Sequence, residues 1–296
     1  MLSNSSLSVE VVDIAKAFGT TQAVQEITFS VQRGEIFGLL GPNGAGKTTT
    51  IRMILDIFKA DRGSIALLGG PMTESKKNLI GYMPEDRGLY QDIPLEQCLL
   101  FLGRLKGLSA QETKERLRKL LERFDLWEHK RKKVKELSKG MQQKAQIITT
   151  ILHRPELIVI DEPFTALDPL NTQIVKDLIR ELSSMGATIL MSTHQMHQVE
   201  ELCDRILLID HGRNLLYGKL DEIRRQFSGH AVLVQTCGEI PQVPGVEAMG
   251  HHNKSTQLIL SADTTSQQVL KSLLEAQVVI EKFELAVPSL DEIFVR

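Results

Sequence analysis

The stretch EIFGLLGPNGAGKTTTIRMILDIF, residues 35–58, reads as a buried strand (35–40), a glycine-rich turn and a helix (48–58). Its centre, GPNGAGKTT at 41–49, satisfies G-x-x-x-x-G-K-[ST] at every required position. Gly41, Gly44 and Gly46 let the backbone bend so that successive N–H groups point into one concavity. The helix beginning near Gly46 adds its positive dipole end. In this pattern Lys47 reaches terminal phosphates and the Thr48 hydroxyl can ligate Mg²⁺. The loop with Asn43, Ala45 and Thr49 is therefore expected to cradle a nucleoside triphosphate.

The chain has 296 residues, more than one typical domain, with 42% hydrophobic residues and a formal net charge of -2. That balance excludes a disordered chain and a generally basic nucleic-acid surface. MLSNSSLSVEVV at the start has no basic patch followed by an apolar core, and no apolar run approaches the ~20 residues that span a bilayer, so a cytosolic location is expected. Cys98, Cys203 and Cys237 are widely spaced and form no Cys-x-x-Cys pair, which favours reduced, buried thiols.

β character alternates through 8–13, 23–31, 35–40 and 64–68 before a helical middle. From 95 to 124 the apolar spacing is helical, broken at Gly107-Leu108-Ser109, with Ser109 and Glu112 spaced as a capping box. A helical hairpin within a helical subdomain of about 93–153 is expected. Strand and helix then alternate through 157–161, 169–185, 188–193, 195–203 and 205–210, the signature of βα units on a parallel sheet. LLIDHGRNLLYG (207–218) reads as a hairpin turning at His211-Gly212, followed by a short helix ending near Phe227. A boundary is expected at Ser228-Gly229. Beyond it, strand-like 231–236, 257–262 and 278–286 enclose a helix at 266–276, a small α+β appendage spanning 229–296. The basic run HKRKKVK (129–135) is either a solvated loop face or a phosphate- or lipid-facing patch.

The apolar strand LIVID (157–161) ends in Asp161-Glu162-Pro163, which places two carboxylates at the strand edge where open α/β sheets bind ligands. Asp161 can hold Mg²⁺ and Glu162 can polarise an attacking water. His194 follows another apolar strand, TILMST (188–193), and should emerge at the same edge within reach of a γ-phosphate. LSKGMQQK offers the Ser138 hydroxyl and a glycine turn at the start of a helix running to His153, a geometry that suits an anion or serves as an ordinary cap.

In this order, the pieces resemble the ATP-binding subunit of an ATP-binding cassette (ABC) transporter over about residues 7–225. The resemblance implies an α/β P-loop NTPase fold of ABC type, with a mixed sheet core, a helical subdomain and, here, the C-terminal α+β domain. It identifies GPNGAGKT as Walker A, LSKGM as the signature loop, LIVIDEP as Walker B, Ala166-Leu167-Asp168 as the D-loop and His194 as the switch histidine. Phe18, in KAFG, stands where the family stacks an aromatic on adenine. The family works as a head-to-tail dimer holding two ATP at its interface, so Ser138, Lys139, Gly140 and Asp168 are expected to serve the partner's site. Glu85, in GYMPE, stands where the family usually has Gln at the metal, and Lys139 and Met141 replace the commoner Gly and Gln. These variants, with PSLDEIF at 288–294, are similar to sodium- and antibiotic-efflux subunits. The resemblance implies an ATP- and Mg²⁺-dependent ATPase of exporter type, at the cytoplasmic membrane face beneath a separately encoded permease, without direct nucleic-acid contact. Alternatives are a soluble ABC ATPase acting on ribosomes or nucleic acid, a nucleotide sensor without turnover, and an importer.

Overall fold

The computed structural model describes residues 6–86, 88–227, 231–238, 240–252, 255–261, 263–286 and 289–295. The chain forms two compact units, residues 1–219 and 220–296.

In the first unit, Ile36–Leu40, Leu157–Asp161 and Thr188–Thr193 are buried at every residue. Unbroken apolar strands of this kind need cover on both faces, the condition of a parallel sheet. The six-stranded sheet runs in the order Ile80–Met83, Leu157–Asp161, Thr188–Thr193, Ile36–Leu40, Arg205–Asp210, Arg213–Lys219, and only the last strand is antiparallel. Register then positions the site. Leu40 lies beside Thr193 and Asp161 beside Ser192, so residues 41, 162 and 194 leave the sheet at one edge.

The early β segments form a separate antiparallel sheet, ordered Thr21–Gln32, Leu7–Phe18, Arg62–Leu67. It shares a core with the main sheet, where Phe29 and Phe37 stack with centroids 5.3 Å apart. The helix expected at 48–58 is shorter, Lys47–Ile54. Asp56 takes a left-handed φ of 59°, which an aspartate tolerates, and so the chain turns away before Phe58.

The expected helical hairpin is Leu95–Leu105 and Ala110–Arg123, and Ser109 and Glu112 close the capping box. The basic run spans short 3₁₀ turns Trp127–His129 and Val134–Glu136, its backbone zipped to residues 91–96 by bonds such as Leu95 N–H to Lys132 O at 2.9 Å. The third helix of this region, Lys139–Ile151, starts at a Ser138 cap.

In the second unit, Val246–His252, Ser255–Leu260, Ala231–Thr236 and Ile280–Leu285 form an antiparallel sheet in that order, and the helix Ser266–Glu275 contributes Val269 and Leu273 to its core. The strand Val246–His252 was not expected, since VEAMGHH holds one β-branched residue and a glycine. The structural division falls between Lys219 and Leu220, earlier than the expected boundary. The reason is the helix Leu220–Phe227, which packs against Leu290–Val295 of the second unit. Ser228, Gly229 and Pro288 lie outside the described residues.

Candidate active site

The glycine-rich loop is wedged against neighbouring backbone. A Cβ on Gly41, whose φ is 146°, would sit 2.1 Å from the Ile209 carbonyl, so no side chain fits. Ala45 is buried and its carbonyl accepts from Gly212 N–H at 2.9 Å, which ties the loop to the turn of the Arg205–Lys219 hairpin. Lys47, 7% exposed, donates to the carbonyls of Gly41 and Pro42 at 2.8 and 3.1 Å. Burial lowers its pKa, against the opposing pull of the Glu162, Asp161 and Glu85 carboxylates.

The Thr48 hydroxyl donates to Asp161 Oδ2 at 2.9 Å, and the Ser192 hydroxyl donates to Asp161 Oδ1. Walker A and Walker B are thus joined directly. They open on a cleft of about 350 Å³ lined by Ala23, Asn43, Gly44, Gly46, Lys47, Thr48, Thr49, Glu85, Asp161 and Glu162. The cleft's hydroxyl and carboxylate oxygens are the hard donors Mg²⁺ prefers. Among the described residues no cluster of three or more His, Cys, Asp or Glu side chains could hold a metal by itself. That donor set fits Mg²⁺ taken together with substrate phosphates rather than in a closed protein cage.

Glu162 sits at φ 54°, with its N–H bonded to Ser192 O at 3.0 Å. Its Oε1 accepts from His194 N–H at 3.1 Å and lies 2.7 Å from His194 Nδ1, while Oε2 accepts from the Thr193 hydroxyl at 3.2 Å. The tautomer that bonds an ionised carboxylate carries its proton on Nδ1. His194 does emerge at the shared sheet edge, but it lines the neighbouring cleft, with Thr165, Gln195 and His197, and meets the phosphate cleft through Glu162.

Phe18 does not line the phosphate cleft; it is 45% exposed and edge-on to Phe58, centroids 5.4 Å apart. Ser138, Lys139, Gly140 and Asp168 also lie outside it. The Ser138 hydroxyl accepts from Met141 N–H at 3.2 Å. Asp168 caps Pro169–Ser184 by accepting from Asn171 N–H and Nδ2 at 2.8 and 2.6 Å, bonds that hold its carboxyl below the usual range.

Sequence reasoning missed Ser192 and Thr193, which hold the two carboxylates, and two glutamines of the Lys139–Ile151 helix. Gln143 Nε2 donates to the carbonyls of Glu162 and Pro163, both at 3.2 Å. Gln146 Nε2 donates to Pro84 O at 2.8 Å and Asp86 O at 3.3 Å, either side of Glu85. No local signal singled them out, because the stretch KGMQQKAQ at 139–146 is polar at most positions.

Residues 24–165 match the family model described as ABC transporter, and 218–296 match the ATP-binding protein DrrA1-3-like C-terminal domain. An uncharacterized ABC transporter ATP-binding protein, YhaQ, of Bacillus subtilis (strain 168) is 39% identical over 96% of each chain. Nod factor export ATP-binding protein I of Rhizobium sp. (strain N33) is 36% identical over 80% of this chain and 79% of its own. A solved structure titled as the ATP binding subunit of an ABC transporter superposes with a TM-score of 0.70 at 37% identity, covering 74% of this chain and 92% of that one. This chain belongs to the ABC transporter family as an ATP-binding subunit with a DrrA1-3-like C-terminal domain. It is an ATPase of the cassette type. Among the described residues no helix is long and apolar enough to cross a membrane.

Proposed function

We propose that this ATPase powers export, working as a dimer beneath a separate membrane permease, and that the cleft between Walker A and Walker B is where ATP is hydrolysed. The observation that carries the reading is the convergence of Lys47, Thr48, Asp161 and Glu162 on one cleft at the sheet edge. Lys47 exchanges its bonds to the Gly41 and Pro42 carbonyls for phosphate oxygens. Glu162 accepts a proton from the water that attacks the γ-phosphorus; the bond to the leaving ADP oxygen breaks and inorganic phosphate departs. His194 and Thr193 keep the Glu162 carboxylate in one orientation while it does so. Thr48, Asp161 and Glu85 would hold Mg²⁺, which supplies charge neutralisation on the phosphates.

Ser138, Lys139 and Gly140 stand outside the chain's own cleft, which supports their service to the nucleotide of a second copy, with Asp168 at the same interface. Phe18 stacks on adenine from its exposed position at the turn before Thr21–Gln32. For the permease, the supporting surface is an exposed apolar patch. Tyr90, Phe101 and Leu105 are 51%, 46% and 61% exposed, beside a groove lined by Tyr82, Leu89 and Leu102. Export rather than import draws on the relative named for Nod factor export.

The test is Glu162→Gln, which keeps shape and removes the base. ATP binding should persist, turnover should fall by roughly 10²-fold or more, and ATP should convert the variant from monomer to dimer in size-exclusion chromatography. Normal hydrolysis by a variant that stays monomeric would sink the reading.

A further inference from the structure

Lys144 lies on the Lys139–Ile151 helix, one turn after Gly140, and is only 7% exposed. Burying an ammonium is unfavourable unless its surroundings compensate, and an apolar residue would fill the space without that cost. The Lys144 ammonium donates to Asn171 Oδ1 at 3.2 Å, within the electrostatic influence of the Asp125 and Asp168 carboxylates. Asn171 in turn donates through Nδ2 to Asp168 Oδ2 at 2.6 Å. A lysine has donors only. It therefore accepts one orientation of the Asn171 amide, oxygen inward, and that orientation aims the NH₂ at Asp168.

The same helix face touches the same segment twice more. Gly140 approaches so closely that an added Cβ would lie 2.9 Å from the Ala166 carbonyl. Gln143 holds the carbonyls of Glu162 and Pro163. Positions 140, 143 and 144 share a helix face, and between them they grip the chain from Glu162 to Asn171.

We infer that Lys144 is a positioning residue: by fixing the Asn171 amide it sets the Asp168 carboxylate and locks the loop 166–168 to the signature loop 138–140, so that both are presented to the second copy as one surface. This rests on the dimer reading above. Lys144 does not line the phosphate cleft, so the chain's own ATP affinity should be independent of it.

The test compares Lys144→Met, Lys144→Arg and Asn171→Leu in the full chain, with Lys144→Met also placed on Glu162→Gln. Lys144→Met should lower kcat about tenfold with KM for ATP within about twofold, and should melt no earlier than the parent. Lys144→Arg, again a donor only, should recover at least about half of kcat. Asn171→Leu keeps the backbone cap on Asp168 and should reproduce the kcat loss, which covers the case where the methionine variant does not fold. Glu162→Gln/Lys144→Met should fail to dimerise with ATP where Glu162→Gln alone succeeds. Unchanged kcat in both Lys144→Met and Asn171→Leu, with a normal double-variant dimer, overturns the inference and leaves the dimer reading standing. A Glu162→Gln protein that stays monomeric with ATP overturns both.

Discussion

Glu85 lines the phosphate cleft and acts electrostatically on Lys47, so a carboxylate stands where the family usually places an amide. A negative charge there attracts Mg²⁺ and repels the γ-phosphate. Glu85→Gln should keep ATPase activity within about tenfold, ~1.4 kcal/mol of barrier, while raising the Mg²⁺ concentration for half-maximal rate; an unchanged Mg²⁺ profile would remove Glu85 from the metal. His153 is a second residue whose surroundings dictate behaviour. Its Nε2 bonds the Ile80 carbonyl at 3.2 Å, its Nδ1 is buried without a partner, and burial beside Lys106 lowers its pKa to about 4. Between pH 6.5 and 4 the unfolded chain binds a proton that the folded chain refuses. Stability therefore falls with acid across that window, by about 2 kcal/mol from this residue at pH 5, and is unaffected by it above about pH 7. Urea unfolding at pH 7.5 and pH 5 should show the loss in the parent and a smaller one in His153→Gln, which retains a donor for Ile80 O. Equal pH dependence in the two would assign the acid sensitivity elsewhere.

Among the elements, those defined by local chemistry were legible in advance. The Ser109 capping box, the His211-Gly212 turn with φ values of 44° and 75°, and the fully apolar strand before Asp161 each follow from neighbours in sequence. What required the structure was pairing at long range. The split of the early strands into their own sheet, the place of Ile36–Leu40 between Thr188–Thr193 and Arg205–Asp210, and the reach of Gln143 and Gln146 to Walker B and the Glu85 loop have no local signature. Legibility of the site followed the same line: Lys47, Thr48, Asp161 and Glu162 announced themselves by motif, whereas Ser192 and Thr193, which hold those carboxylates, read only as strand. The helical hairpin also hides a constraint of this kind. A Cβ on Gly103 would meet Thr113 Cγ2 at 2.6 Å and Leu152 Cδ2 at 2.9 Å, so three helices approach at that glycine. Gly103→Ala gains helix propensity but overpacks the contact, and should destabilise the chain by about 1–3 kcal/mol in denaturant unfolding. A neutral or stabilising result would show that the helices separate freely there.

At the scale of the whole molecule, the division between Lys219 and Leu220 makes a prediction that a cut at 228 would not. Every nucleotide motif lies before residue 219, and the first unit has its own core across both sheets. The second unit has a separate core built on Val232, Val234, Leu258 and Leu273. The helix Leu220–Phe227 decides between the two cuts, because it carries the buried Leu220 and Ile223, falls in the second unit and packs against Leu290–Val295. A fragment ending at 219 should unfold cooperatively and bind MgATP within about twofold of the full chain. A fragment ending at 228 keeps that helix and loses Leu290–Val295 against it, uncovering two side chains whose burial is worth about 1.5–3 kcal/mol each. It should bind more of a hydrophobic dye and aggregate at lower concentration than the shorter fragment, at equal ATP affinity. If the 1–219 fragment is insoluble or cannot bind ATP, the cassette depends on the second unit for its fold; if the two fragments are equally soluble, the helix is not held by the C-terminal unit.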